Sequence, residues 1–335
     1  MHRPAIPGVA SVATSAAAPP PVSLLRFALM GTLFSFVWSS AFIAGKLGMA
    51  AFGPLTLLSL RFLLAGLLVW PIASVRGDVR GDVRGDVRGG AHGVGAVGQP
   101  EHARKAQQRR DGLVALLAGL LNNAVYLGLA FVGMRTVPAG LTTILVSTSP
   151  LMTSALAALA LRERLGWRAA AGLAAGFAGV VWIMRARALS GAADLHGVAL
   201  ILLGTVALSV STLLYRKVAG RLDPWRIALI QLPASVLVLL PFAWWREGLV
   251  VLPGAAFFGS LLYLAVVVSI GTTLMLLWLV RHGGAARASS FHLLNPLFGT
   301  LLAVLLLGER IPLSDLLGAL PIMAGLGLVL RPRRA

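Results

Sequence analysis

Two stretches of this chain are copies of one another, and the duplication constrains the fold more than any single residue does. Ser149-Pro150 opens an apolar run that ends in Leu161-Arg162-Glu163-Arg164, and Asn295-Pro296 opens another that ends in Gly308-Glu309-Arg310. In each copy the glutamate stands thirteen residues after the proline. The register holds well beyond the pair: Arg135 matches Arg281, Ala139 matches Ala285, Gly172 matches Gly318 and Gly179 matches Gly325, all 146 apart. A constant offset over so long a stretch, with no gap, is an internal repeat.

The repeated material is membrane-spanning in character. The 335 residues are 58% hydrophobic and only 12% charged, against about 25% charged in a soluble domain. The apolar residues arrive in runs of roughly 20, the length that crosses a ~30 Å hydrocarbon core at 1.5 Å per residue. The expected fold class is an all-α polytopic membrane protein. Ten spans read as residues 27–46, 54–73, 112–133, 137–160, 166–185, 196–216, 225–245, 255–280, 285–308 and 312–330.

Charge sets the orientation. The net charge of +18 is spread over the ends of the apolar runs, which is how membrane proteins encode topology and is unlike the single basic face of a nucleic-acid binder. On this map 22 of the 29 Lys and Arg fall on one side and 6 on the other, with Arg61 inside a span. Both termini are therefore expected in the cytoplasm. Residues 1–26, rich in Ala, Pro and Ser, read as a disordered cytoplasmic lead. With no Cys there is neither a disulfide nor a thiolate metal site.

A second offset extends the repeat backwards: Lys46 matches Arg216, Pro54 matches Pro224, Arg61 matches Gln231 and Pro71 matches Pro241, all 170 apart. The first copy thus carries 24 extra residues between its second and third helices. They coincide with a V-R-G-D tandem and the segment after it, giving a low-complexity cytoplasmic loop over 74–110. The R-G-D tripeptides read as a slipped repeat; an adhesion role is the competing reading. The architecture is two five-helix units, 27–185 and 196–330. Because five is odd, the second unit crosses the membrane in the opposite sense, an inverted repeat of the transporter kind with its site near the midplane.

Trp38-Ser39-Ser40-Ala41-Phe42-Ile43-Ala44-Gly45-Lys46, Arg61-Phe62-Leu63, Ala139-Gly140-Leu141 through Ser149-Pro150-Leu151, and the Glu163 and Glu309 junctions together resemble the ten-helix EamA-type members of the drug/metabolite transporter superfamily. The resemblance covers about residues 27–330. It implies export of small metabolites, often amino acids, or of toxic compounds, across a bacterial inner (plasma) membrane. Ser39 and Arg162 depart from positions where glycine is common in that family.

Arg61 is the cation within a span, expected to face the protein interior. It either offers a bidentate donor pair to an anionic group of the substrate, or satisfies helix-end carbonyls or snorkels to an interface. Asn122 and Tyr126, four apart on one face of the third helix, with Asn123 about 100° away, are either cavity walls or inter-helix glue; Trp38 is a candidate aromatic wall. Ser147 and Ser149 ahead of Pro150, and His292 and Asn295 ahead of Pro296, mark kinked, polar helices at matching places. These kinks point either to the central cavity or to simple packing. His292 is a candidate for proton coupling or a neutral hydrogen-bonded group. Lys46 ends the first helix, snorkelling or lining the pathway, while Glu163 and Glu309 are expected to close short turns beside arginines. Gly172, Gly176 and Gly179 have the spacing for close helix contact, within the chain or in a homodimer. The expected partners are a small-molecule substrate and the lipid bilayer, with no nucleic acid, no metal and no cofactor. A secondary transporter is the leading class; a membrane-embedded enzyme, or a channel or scaffold, is the alternative.

Overall fold

The computed structural model describes residues 23–75, 101–160, 166–189, 195–218, 222, 224–248 and 254–330. The chain is an all-α polytopic membrane protein: eight helices are long and apolar enough to cross a bilayer, and two shorter apolar ones, Phe291–Leu307 and Leu313–Val329, follow them. The first five spans are Leu24–Met49, Pro54–Val75, residues 101–133, residues 139–160 and Trp167–Leu189. The second five are Leu195–Val218, Pro224–Glu247, residues 255–290, residues 291–307 and Leu313–Leu330.

Four of these spans are interrupted, and the interruptions come in repeat-related pairs. The third contains a π-helical stretch at Leu120–Tyr126 and the eighth another at Tyr263–Gly271. The fourth breaks after Val146 and restarts at Ser149; the ninth restarts at Asn295 after a 3-10 turn, Phe291–Leu294. Ser149 and Asn295 are equivalent positions, each immediately before its proline. Proline lacks the N–H that would continue the ladder, so a helix can begin there but not run through undisturbed.

Two sequence expectations are corrected. The loop expected over 74–110 ends earlier, because helix already begins at Glu101. Its first turns are built from Ala, Lys, Arg and Gln, good helix formers, and Gln107 donates to Asp111 across one turn at 2.9 Å. The turn expected between 280 and 285 is absent, and helix continues through Ser290. Pro138 breaks the first copy at this level, but its counterpart is Gly284 among alanines, and nothing forces a break. The N-terminal lead before Ser23, the V-R-G-D tandem after Val75 and Glu163 lie outside the described residues.

Helix packing follows a two-fold pattern. The second span packs on the seventh and the fifth on the tenth; the first meets the eighth and ninth, just as the sixth meets the third and fourth. The fifth–tenth crossing is made at the repeated glycines. A Cβ on Gly172 would stand 2.6 Å from the carbonyl oxygen of Gly325, and one on Gly179 would stand 2.5 Å from that of Gly318. The glycine face is thus occupied within the chain.

Charged residues finish helix ends across the two units. Glu309 accepts from the N–H groups of Ala139 (2.8 Å) and Gly140 (3.0 Å), capping the fourth span. Glu247 caps the second in the same way, through Leu55 N (2.9 Å), Thr56 N (2.8 Å) and Thr56 Oγ1 (2.7 Å). Unpaired N–H groups and the helix dipole make a helix start the natural place for a carboxylate. The role of Glu309 as a turn closer beside Arg310 is corrected accordingly: it binds the other unit. Lys46 is tied to backbone carbonyls of the third span's end. It donates to the carbonyls of Met134 and Val137 (3.1 Å to the latter), closing the C-terminal end of the third span.

Candidate functional site

Between the first, second, third, sixth, seventh and eighth spans lies a cavity of about 480 Å³. Its walls repeat. Ala41 and Ser211, Phe42 and Thr212, Arg61 and Gln231, Phe62 and Leu232 are pairs 170 apart, and all eight line it. So do Asn122 and Val268, Asn123 and Ser269, Tyr126 and Thr272, Leu127 and Thr273, pairs 146 apart. The second four pairs lie in or just after the two π-helical stretches. A π-turn widens the helix locally and turns side chains away from α-helical register, and such turns cluster at functional sites.

Shape is shared between the two walls, but chemistry is not. The first unit contributes Arg61, 6% exposed, with two asparagines and a tyrosine. Arg61 donates from Nε to Ser269 Oγ at 3.0 Å, across the two units. Ser269 in turn donates to the carbonyl of Leu264 at 2.9 Å, five residues back, as the π-turn sets it. Asn122 donates to Asn123 at 2.9 Å. The second unit contributes Gln231, hydrogen-bonded to the carbonyl of Ala115 at 3.2 Å, and Tyr215, whose hydroxyl bonds with Gln231 and Ser211. Gly119 makes this possible, since any side chain there would occupy the place of the Gln231 stem. Aromatic rings close one end: Phe42, Phe62 and Phe131 are almost fully buried, with Phe131 seated on Gly45. The lining extends the other way to Val69, near the end of the second span, and Trp225, at the start of the seventh.

Of the residues singled out from sequence, Trp38, Arg61, Asn122 and Tyr126 line this cavity. Ser147, Ser149, His292 and Asn295 do not, and they sit elsewhere for one physical reason: their polar groups are committed to the backbone breaks. Ser147 donates to the carbonyl of Ile144 at 2.7 Å. The carbonyl of Ser149 accepts from Ser209 at 3.1 Å, and that of Asn295 accepts from Ser39 at 3.2 Å. Ser39 and Ser209 are themselves repeat partners, so each unit's first helix clasps the proline site of the other. The Asn295 side chain accepts from Ser35 at 2.6 Å and donates to His292 Nδ1 at 2.9 Å. With the amide oxygen taken by a hydroxyl, its NH₂ faces the imidazole, and His292 serves as an acceptor wedged edge-on against Phe34 and Trp38. Pro150 and Pro296 start their helical segments away from the cavity. Among the described residues no group of three or more His, Cys, Asp or Glu is placed to hold a metal.

Gln231, Tyr215, Ser211, Ser269 and Thr272 were not singled out as site residues. The signal was present: adding the repeat offsets to Arg61, Ala41, Asn123 and Tyr126 lands on Gln231, Ser211, Ser269 and Thr272. Tyr215 has no such signal, because its counterpart is Gly45.

Two inverted five-helix units enclosing a shared cavity define a multi-pass membrane transporter. The chain belongs to the EamA-like transporter family, whose model matches residues 25–185 and again 195–331. It is 27% identical over 305 residues to the Bacillus subtilis (strain 168) protein named uncharacterized transporter YvbV, covering 91% of each chain. It is also 27% identical over 288 residues to the Escherichia coli (strain K12) uncharacterized inner membrane transporter YedA, covering 84% of each. A protein of known crystal structure shares the fold, with a TM-score of 0.57 at 20% identity, over 93% of this chain and 100% of that one.

Proposed function

We propose that this chain is a secondary transporter of the inner membrane, not an enzyme, that exports small metabolites such as amino acids and related compounds, or drugs, by alternating access. The observation that carries the reading is the paired lining: sixteen wall residues are eight repeat-related pairs. An inverted repeat that contributes equivalent surfaces to one midplane cavity can exchange the conformations of its halves and so expose that cavity to either side. The basic bias puts both termini in the cytoplasm. On that orientation the lining reaches toward the cytoplasmic side at Val69 and Trp225, while the aromatic plug and the Glu247 and Glu309 caps lie toward the outer side. No Walker motif occurs in the sequence, which supports a transporter not driven directly by ATP; substrate antiport, proton antiport and facilitated efflux are the coupling modes open to it.

Because the chain has no Cys, single cysteines report access directly. Thr273→Cys is expected to react with a membrane-impermeant thiol reagent from the cytoplasmic side, and Phe42→Cys only when counterflow of a transported solute is under way. Counterflow in proteoliposomes should be saturable for at least one class among amino acids, organic anions and cationic drugs. Absence of saturable movement for every class would overturn the proposal.

A further inference from the structure

We infer that the cavity selects a small organic monoanion with an apolar or aromatic body, in preference to the zwitterion or cation of the same body; this rests on the transport reading for its site. Among the described residues Arg61 is the one charged residue that lines the cavity, and no Asp or Glu lines it. Its only side-chain hydrogen bond among the described residues runs from Nε to Ser269. Among the described residues no buried side-chain nitrogen or oxygen lacks a partner, so the two terminal NH₂ groups are not sealed in protein but face cavity space. A guanidinium held this way presents a planar fork that matches a carboxylate. It is also a cation without a counter-charge in a largely apolar chamber, a costly arrangement that an arriving anion relieves.

The rest of the lining says what the anion must look like. Trp38, Phe42, Tyr126 and Trp225 present aromatic faces, which suits an apolar or planar body. The cavity, about 480 Å³, is of the size that encloses a metabolite. At the repeat-related position to Arg61 stands neutral Gln231, bonded to the Ala115 carbonyl and to Tyr215, which also bonds Ser211. That second pole accepts a hydroxyl, carbonyl or amide, but it has no charge to match an ammonium. A zwitterion would satisfy Arg61 and leave its ammonium beside neutral groups; a cation would meet Arg61 with repulsion. The charge of the occupant is therefore set by Arg61, and its neutral functional group by the opposite wall.

The test uses the full chain in detergent and in proteoliposomes, with two matched series: phenylpropanoate, phenylalanine and phenethylamine, and isocaproate, leucine and isoamylamine. Binding is read by the intrinsic fluorescence of the tryptophans, two of which line the cavity. The carboxylate of at least one series is expected to bind about tenfold or more tighter than its zwitterion and amine, the scale of one charge-assisted hydrogen bond. Arg61→Gln should erase that preference, and Arg61→Lys should restore part of it. Should Arg61→Gln fail to fold, Ser269→Ala is read instead, and it should weaken carboxylate binding selectively by freeing the guanidinium from its anchor. Equal or tighter binding of the zwitterion or the amine, binding of none of the probes, or a preference that survives both Arg61→Gln and Ser269→Ala overturns the inference. Binding with the expected preference but without counterflow would break the transport reading and leave the inference standing. Saturable counterflow confined to amines would do the reverse.

Discussion

Six spans of this molecule line its cavity and four do not, and the two groups differ in what their polar residues do beyond bonding their own helices. In the fourth, fifth, ninth and tenth spans, polar groups repair backbone. Ser147 and Thr148 bond carbonyls three residues back, at 2.7 and 2.6 Å, and Asn295 ties the ninth span to the first. Glycines let the fifth and tenth spans touch backbone to backbone. In the lining spans many hydroxyls also bond their own helix, as Ser40 does to the Val37 carbonyl and Ser59 to that of Leu55, both at 2.8 Å. Groups at the cavity bond one another as well: Arg61 to Ser269 in the other unit, and Tyr215 to Gln231 and Ser211. Pro150 and Pro296 are the loudest feature of the repeat, yet they belong to the first group. In a bilayer a broken helix must have its freed backbone groups satisfied internally, so hydroxyls near a proline are already employed there.

Substitutions in the two groups should therefore part company, folding on one side and transport on the other. The largest effect is expected for Gly172→Val. Its Cβ would stand 2.6 Å from the Gly325 carbonyl and 2.9 Å from Val329 Cγ2, and the backbone on the far side has nowhere to move. Loss of the monodisperse, folded species on size exclusion should follow; normal yield with full counterflow would mean that the fifth–tenth crossing is dispensable. Next is Asn295→Leu, which strands the Ser35 hydroxyl and His292 between the first and ninth spans. The expected loss is about 1–3 kcal/mol of stability, seen as a lower thermal midpoint, with the apparent affinity for substrate unchanged. A changed affinity at unchanged stability would return the proline spans to the site.

Most of the fold was legible because it rests on period and pattern. Apolar run length gave the spans, constant offsets gave the repeat, and an odd helix count per unit gave its inversion. The junction of the eighth and ninth spans was misplaced because Gly284 stands where the first unit has Pro138, and the repeat alone implied a turn that only the proline enforces. Half of the candidate site was legible. Arg61, Asn122, Tyr126 and Trp38 stand out as polar or aromatic groups in apolar helices, whereas Ser269 and Thr272 look like ordinary helix hydroxyls. Only the 146-residue offset from Asn123 and Tyr126 singles them out, since a π-turn leaves no mark in composition. Glu309 was read as part of a local turn because its partners, Ala139 and Gly140, are backbone groups 170 and 169 residues away. Sequence does not advertise a carboxylate that caps a distant helix.

The smallest expected effect tests the neutral wall. Gln231→Leu keeps the volume that Gly119 makes room for, but removes the amide that joins the Ala115 carbonyl and the Tyr215 hydroxyl. One neutral hydrogen bond carries about 0.5–1.5 kcal/mol, or roughly threefold to tenfold in affinity. That loss should fall on anionic solutes bearing a hydroxyl or amide at the end away from the carboxylate, and spare those with a plain hydrocarbon end. The thermal midpoint should barely move, because Ser211 still donates to the Ala118 carbonyl at 2.7 Å and holds the sixth span to the third. Equal weakening of both kinds of solute would place Gln231 with the repairing residues of the proline spans. A selective loss would make it the neutral counterpart of Arg61, with the two repeats sharing a shape and dividing the recognition between them.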